Sequence, residues 1–288
     1  MLKKGLNYTG SKYKLLPQLL PMFPKDIGFF IEPFVGGCNI APNIDSKYYW
    51  FNDKSIHIMC IYNIMKHYSS DYIVQSVKNL IGQYELTNKN KEGYLKLRND
   101  FNSTPHNKTF TKNIELITLI CYSFNNIIRF NSNNKFNAPF GERTFNPVLE
   151  KNIIELSNFI KEKNPKLTAH SFKYFVEQFK KLYPQIKENI FIYLDPPYQG
   201  TDTSYNIGWG REQELQIIDL IIFCRNNNIK FGYSNAILNN IMPDSVKYIV
   251  ENFKDINIIE INHSYKNSNH QRKLDKELKE VYITNVKI

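Results

Sequence analysis

The sequence predicts an α/β fold: a parallel sheet covered by helices and interrupted by a long, mostly helical insertion. Three observations carry this. Four short segments rich in β-branched and aromatic residues, GFFIEPF (28–34), KYYWFND (47–53), NIFIYLD (189–195) and IKFGYSN (229–235), read as buried strands ending in polar or turn residues. Between the last two, REQELQIIDLIIFCRNNN has helical periodicity and length, and the order strand, helix, strand belongs to a parallel sheet. After Asp53 the alternation stops, and strands return only beyond residue 165.

In chain order, residues 56 to 164 hold the helical stretches SIHIMCIYNIMKHY, SDYIVQSVKNLIGQY, KEGYLKLRNDF and NIELITLICYSF, the last reading as a core helix. The Asn-rich NNIIRFNSNNKFNAPFGERTFNP then reads as an irregular or hairpin segment, with residues 131–137 as solvated loop. At the C-terminus, INIIEIN and KEVYITNVK are two further strands, joined by the polar loop HSYKNSNHQRKLDKEL (263–278). Strands on both sides of the insertion complete one sheet. The expected division is therefore a discontinuous domain of residues 1–55 and 165–288, with residues 56–164 inserted.

A chain of 288 residues with 42% hydrophobic and 22% charged residues is globular. No apolar run reaches bilayer length and MLKKGLNYTGSK lacks a signal-peptide core, so a cytoplasmic protein without a membrane partner is expected. Cys38, Cys60, Cys121 and Cys224 are scattered without a CxxC pair, which signals neither a disulfide framework nor a metal site. The net charge of +10 favours a polyanion, nucleic acid before membrane. A biased genome composition is the alternative source of that charge.

Open α/β sheets bind ligands beyond the carboxyl ends of their strands. The first strand ends in EPFVGGCN, placing Glu32 and Phe34 before Gly36 and Gly37, which lead into a helix. Glycines there admit close approach of a ligand, and an aromatic ring covers an adenine or ribose. The second strand ends at Asp53, 17 residues after Gly36, a spacing suited to ribose hydroxyls. A plain turn at the glycines and a helix N-cap at Asp53 are the structural alternatives. No third glycine completes GxGxxG, so a nucleoside cofactor without a diphosphate fits better, and S-adenosylmethionine is the candidate.

The stretch IYLDPPYQG (192–200) halts a strand on an acid, two prolines and a tyrosine. Asp-Pro also starts ordinary turns. Beside a methyl donor, however, the Asp195 carboxylate and the Pro196 carbonyl would each accept one N–H of an adenine amine, freeing the nitrogen lone pair. Pro196 and Pro197 fix the backbone and bring no competing donors, and Tyr198 would stack on a base flipped out of the duplex.

With these residues in place the sequence resembles the Dam-type (D12 class, alpha group) DNA adenine-N6 methyltransferases, phage-encoded members in particular, over nearly the whole chain. NYTGSKYKLLPQLLPMFPK is similar to the family's opening motif, implying cofactor contacts from Tyr8 and Lys12, with Gly10 permitting close approach. FIEPFVGG and FNDKS resemble its glycine and ribose segments, and AHSFKYF places Phe172 at a cofactor-adenine contact. SFNNIIRFNSNNKFNAPFGERT resembles the recognition hairpin, implying that Arg129 reads a guanine, Ile127 a thymine methyl and Pro139 a second base. Asn125, Asn131 and Asn137 join that DNA-facing set, and Lys135, Arg143 and Lys112 are phosphate contacts or ordinary surface cations. Cys38 stands where many relatives have a small residue or glycine, and Asn7 where some bacterial relatives have a base-reading lysine.

The resemblance implies a Rossmann-like S-adenosylmethionine-dependent sheet with an inserted recognition domain. It also implies methylation of adenine N6 in double-stranded DNA, within GATC, by a metal-free monomer or weak dimer of a bacterial or phage-infected cell. Rival readings are a methyltransferase for another amine, namely cytosine N4, an RNA adenine or a protein glutamine, and a catalytically idle nucleic-acid binder.

Overall fold

The computed structural model describes residues 3–8, 10–104, 109–198, 209–262 and 278–288. Its elements run α1 (Leu16–Leu19), β1 (Phe29–Glu32) and β2 (Tyr48–Asn52), then α2 (Ile56–His67), α3 (Ser70–Gln83), α4 (Lys91–Ser103), α5 (Phe110–Tyr122) and α6 (Pro147–Lys163). They continue with β3 (Lys166–Thr168), α7 (Phe172–Leu182), β4 (Ile190–Leu194), α8 (Arg211–Asn226), β5 (Lys230–Leu238), α9 (Asp244–Asn252), β6 (Asn257–Ile261) and β7 (Leu278–Thr284). The chain divides into two units, one of residues 1–13, 36–44 and 55–167, the other of residues 14–35, 45–54 and 168–288.

The strands form a seven-stranded sheet in the order β3-β2-β1-β4-β5-β7-β6, and all of it except Lys166 and Leu167 of β3 belongs to the second unit. β2, β1, β4 and β5 pair in parallel, and β7 runs antiparallel to both β5 and β6. Every residue of β1 and β4 is buried, as parallel strands covered on both faces require. Ile31, Trp50 and Ile192 pack with Phe175 and Phe179 of α7 and Ile217 and Ile221 of α8 into the main core. Phe30, Phe191 and Tyr193 alternate to the other face, where the Phe23 ring lies 4.8 Å from that of Phe191. The fold class expected from the sequence is the one observed.

The first unit is helical. Its helices are capped by side chains suited to the purpose: Ser69, Asn90, Thr109 and Asn146 each accept a backbone N–H in the first turn of α3, α4, α5 and α6. α5 is a core helix, with Ile114, Leu116, Ile117 and Leu119 all buried.

Two sequence expectations change. No α-helix follows Gly36-Gly37; a single 3-10 turn, Ala41–Asn43, stands there instead. Pro42 within it has no amide hydrogen, and the side chains of Asn39 and Asn43 are turned to the backbone of residues 3–6. The strand β3 and the helices α6, α7 and α9 were not among the elements expected. The loop proposed for residues 263–278 lies outside the described residues except for Leu278, which opens β7.

Candidate active site

The strand order reverses between β1 and β4: from β1 the chain continues to β2 on one side, and from β4 to β5 on the other. Such a switch point opens a crevice at the carboxyl ends of the two strands. Glu32 closes β1, Asp53 follows β2, and Asp195-Pro196-Pro197-Tyr198 follows β4, all in the sheet-bearing unit.

Asp195 is half-buried and Pro196 buried, so the carboxylate stands at the rim on a backbone whose φ the two prolines fix. The Tyr198 hydroxyl donates to Asp195 Oδ1 at 3.2 Å, and its ring is half-exposed. Beneath them Tyr193 is wholly buried, its hydroxyl 2.7 Å from Ser234 Oγ. Burial first, and the neighbouring Asp195 charge second, push the Tyr193 phenol well above its ordinary range. It stays protonated and is a neutral floor to the site.

The same unit holds an aromatic group. The Phe34 ring is 4.8 Å from that of Phe172 and 5.5 Å from that of Trp209, which meets it edge-on. Phe34 and Phe172 are set by a residue that sequence reasoning missed. Asn52, 1% exposed at the end of β2, donates to the carbonyls of Pro33 and His170, both at 3.1 Å. Its Oδ1 accepts from Thr168 Oγ1 at 2.9 Å and from the His170 N–H at 3.0 Å. One carboxamide thus ties the residue before Phe34 to the segment that leads into Phe172. Its only sequence signal was its place beside Asp53. Asp53 donates its backbone N–H to Thr168 O at 3.3 Å, and the cap position of α2 is Ser55, so Asp53 is not the helix cap.

In the other unit, residues 3–8 are laced onto the glycine loop. Leu6 N–H donates to Gly37 O at 2.7 Å, and Asn39 bonds Gly5 N–H and Leu6 O. A Cβ on Gly37 would come 2.4 Å from Leu6 O, and Gly36, at φ +44, would meet the Tyr8 ring at 3.0 Å. The glycines therefore admit the chain's own backbone and Tyr8, a use that leaves no open diphosphate cradle. Cys38 follows, buried at φ 53, a left-handed conformation where glycine is unstrained. The Lys12 ammonium is held on Gly10 O at 3.1 Å, with Gly10 itself at φ 80.

The segment 123–144, in the same unit, is a hairpin stitched by isolated bridges between Ser123 and Phe140 and between Phe130 and Phe136. Arg129 reaches across it: Nε donates to Asn137 Oδ1 at 2.9 Å and Nη2 to Asn137 O at 2.7 Å. Asn131 is a turn residue, its Oδ1 accepting from the backbone of Asn133 and Lys135 at 3.0 and 2.9 Å. Lys135, Pro139 and Arg143 are exposed and Ile127 is half-buried; Arg143 Nη2 donates to Asn125 Oδ1 at 3.2 Å. An open cavity of about 440 Å³ adjoins the hairpin, lined among others by Lys4, Asn7, Asn126, Arg143 and Asn152. Lys112 needs correction as a candidate phosphate contact. It is buried, with its ammonium on Glu115 at 2.7 Å and on the carbonyls of Asp100 and Phe101.

Among the described residues no group of three or more His, Cys, Asp or Glu is placed to hold a metal ion, and no helix is long and apolar enough to cross a membrane. Residues 8–267 match the D12 class N6 adenine-specific DNA methyltransferase family. The chain is 34% identical to the type II methyltransferase M.FokI of Planomicrobium okeanokoites, across 99% of this chain and 43% of that protein. It is 30% identical to the modification methylase StsI of Streptococcus sanguinis, with the same coverage, so it spans well under half the length of these two relatives. To the DNA adenine methylase of Salmonella typhi it is 27% identical, across 70% of this chain and 66% of that one. With the acid and prolines at the end of β4 and a match running through both units, the chain belongs to the D12 class N6 adenine-specific DNA methyltransferase family.

Proposed function

We propose that the protein methylates the N6 amine of an adenine flipped out of duplex DNA, using S-adenosylmethionine. The observation that carries this is the placement of Asp195-Pro196-Pro197-Tyr198 at the switch point of the sheet, in a chain of the D12 family. The residues suit the cofactor: flat aromatic rings at Phe34 and Phe172, an acid at Asp53, and a glycine loop filled by Tyr8 and Leu6 in place of a diphosphate. Tyr8, Gly10, Lys12, Glu32, Phe34, Gly36, Asp53, Phe172 and Asp195 would hold it. When bound, it supplies an activated sulfonium methyl. The chain's own task is then to prepare the amine: the Asp195 carboxylate and Pro196 carbonyl accept its two N–H bonds, which turns the lone pair outward. Tyr198 stacks on the base, and its hydroxyl occupies one acceptor position of Asp195 until the amine arrives.

In this reading residues 1–55 and 165–288 are catalytic and residues 56–164 recognise DNA. Arg129, whose Nε and Nη2 donate to Asn137, would offer its remaining donors to guanine, Ile127 an apolar contact for thymine and Pro139 a second base contact, the set that a GATC target calls for. Lys135 and Arg143 would approach the phosphate backbone, and Asn125, Asn131 and Asn137 belong to the same DNA-facing set. A second reading of the target is favoured by identity: 34% and 30% to two modification enzymes against 27% to the DNA adenine methylase suits a modification methylase with another sequence. The test is incubation with labelled S-adenosylmethionine and unmethylated genomic DNA, followed by strand-resolved sequencing. N6-methyladenine confined to GATC supports both the chemistry and the hairpin roles. Methyladenine elsewhere keeps the chemistry and discards GATC, and no incorporation discards duplex DNA as the acceptor and leaves an RNA or protein acceptor or an idle binder.

A further inference from the structure

Trp209 lies between the Asp195 tetrad and α8, and neither the motifs nor the family match gives it a role. Its half-buried ring completes a three-sided aromatic group, 5.5 Å from Phe34 and 6.2 Å from Phe172. Unlike the two phenylalanines, it is held at its polar end. The indole Nε1–H donates to Glu214 Oε1 at 2.7 Å.

Glu214 is fully buried in the first turn of α8. Its other oxygen, Oε2, accepts the backbone N–H of Ser245 at 3.2 Å and also the Ser245 hydroxyl, at the start of α9. That hydroxyl lies 2.7 Å from the Tyr233 hydroxyl, to which the Asn235 amide donates in turn. A carboxylate taken wholly out of water is costly unless its lone pairs are matched, and here they are matched on both oxygens. An apolar residue would fill the same space without that cost. What the acid adds is direction: the hydrogen bond fixes the plane of the indole relative to Phe34 and Phe172.

We propose that Trp209 is a wall of the site for the cofactor's adenine and that Glu214 is a positioning residue acting through it. The inference rests on the reading of S-adenosylmethionine as methyl donor. The cofactor's adenine is favoured over the target base because Trp209 meets Phe34 at the end of β1 and Phe172 at the start of α7. Those are the two rings that follow the segments tied together by Asn52, the residue before Asp53.

The experiment titrates the full chain with S-adenosylhomocysteine, by calorimetry and by intrinsic fluorescence, and compares steady-state constants for cofactor and DNA. There are two tryptophans, and Trp50 is wholly buried in the core, so emission that responds to ligand reports Trp209. Quenching is expected in the unaltered protein and its loss in Trp209→Phe. Trp209→Ala should weaken binding about 10- to 100-fold, the range set by one stacked ring. Glu214→Ala should raise KM for the cofactor about tenfold with kcat at saturation little changed, and Glu214→Gln should recover most of the loss, because its amide oxygen still accepts from the indole. Circular dichroism checks folding; should Glu214→Ala fail to fold, Trp209→Ala and Glu214→Gln decide. Unchanged binding in Trp209→Ala, or a rise in KM confined to DNA, overturns the proposal. Failure of the unaltered protein to bind S-adenosylhomocysteine overturns the cofactor reading itself, and is recognised because it needs no substitution.

Discussion

Asp195 and Asn52 are both polar residues at strand ends, and they do opposite things with their hydrogen-bonding capacity. Asp195 keeps its carboxylate at a half-buried rim, facing the Tyr198 hydroxyl. Replacing it by Asn preserves volume but puts a donor where the amine needs an acceptor. We expect Asp195→Asn to lower the single-turnover rate of methyl transfer by about 10²- to 10³-fold, with circular dichroism unchanged. Asn52 spends its whole carboxamide on the protein. In Asn52→Asp the Pro33 and His170 carbonyls lose their donors and face a carboxylate, so urea unfolding should show a loss of about 2–4 kcal/mol. A stability equal to that of the unaltered protein would show that the clamp is dispensable. Asp195 stands out in the sequence because an apolar run halts on an acid and two prolines, but an ordinary Asp-Pro turn reads the same way, and only the ordered motifs around it point to an acceptor. Asn52 does not stand out, because its partners at Pro33, Thr168 and His170 are up to 118 residues away.

The hairpin of residues 123–144 shows how an element leans on its neighbours. His57, on α2, stacks on Phe130 at 3.7 Å between ring centroids, and its Nε2 lies 2.9 Å from Asn134 Oδ1 at the hairpin turn. Burial lowers the His57 pKa below its ordinary 6.5, against a smaller opposing effect of Asn134. The folded state therefore favours the neutral ring. Its contribution to stability is full above pH 6.5 and is lost as the pH falls from there through the lowered folded value. Hydrogen exchange of the hairpin amides, corrected for intrinsic rate, should be faster at pH 5 than at pH 7.5, and His57→Phe should remove the difference. Among the elements, β1, β2, β4 and β5 were legible as continuous apolar runs. β3 was not: its three residues, Lys166–Thr168, carry no pattern of their own and are strand only through pairing at the sheet edge. α6 had its signals, Asn146 as cap, Pro147 in the first turn and Ile153, Leu156 and Ile160 on one face, but followed directly on an Asn-rich loop. α7 was read only as a cofactor contact, although Phe172, Phe175, Val176 and Phe179 form its buried face.

For the molecule as a whole, the net charge of +10 predicts DNA affinity dominated by phosphate contacts. Raising salt from about 50 to 200 mM should weaken duplex binding at least about tenfold, and Arg143→Ala should reduce the slope of log K against log salt by about one. A slope near zero in a filter-binding or anisotropy titration would mean that the charge is compositional. The sequence by itself determined the α/β class, the four central strands, the helical insertion with its hairpin, and the acid-proline tetrad. Each is written in a local pattern of apolar period, turn chemistry or motif that survives without its neighbours. Only the tertiary structure decided that Gly36 and Gly37 receive the chain's own residues 6 and 8, that Asn52 clamps two segments, that Lys112 is buried on Glu115, and that Glu214 holds Trp209. Those depend on which distant groups share a buried volume, where an unmatched polar atom costs the most and its partner is chosen by the fold rather than by sequence proximity.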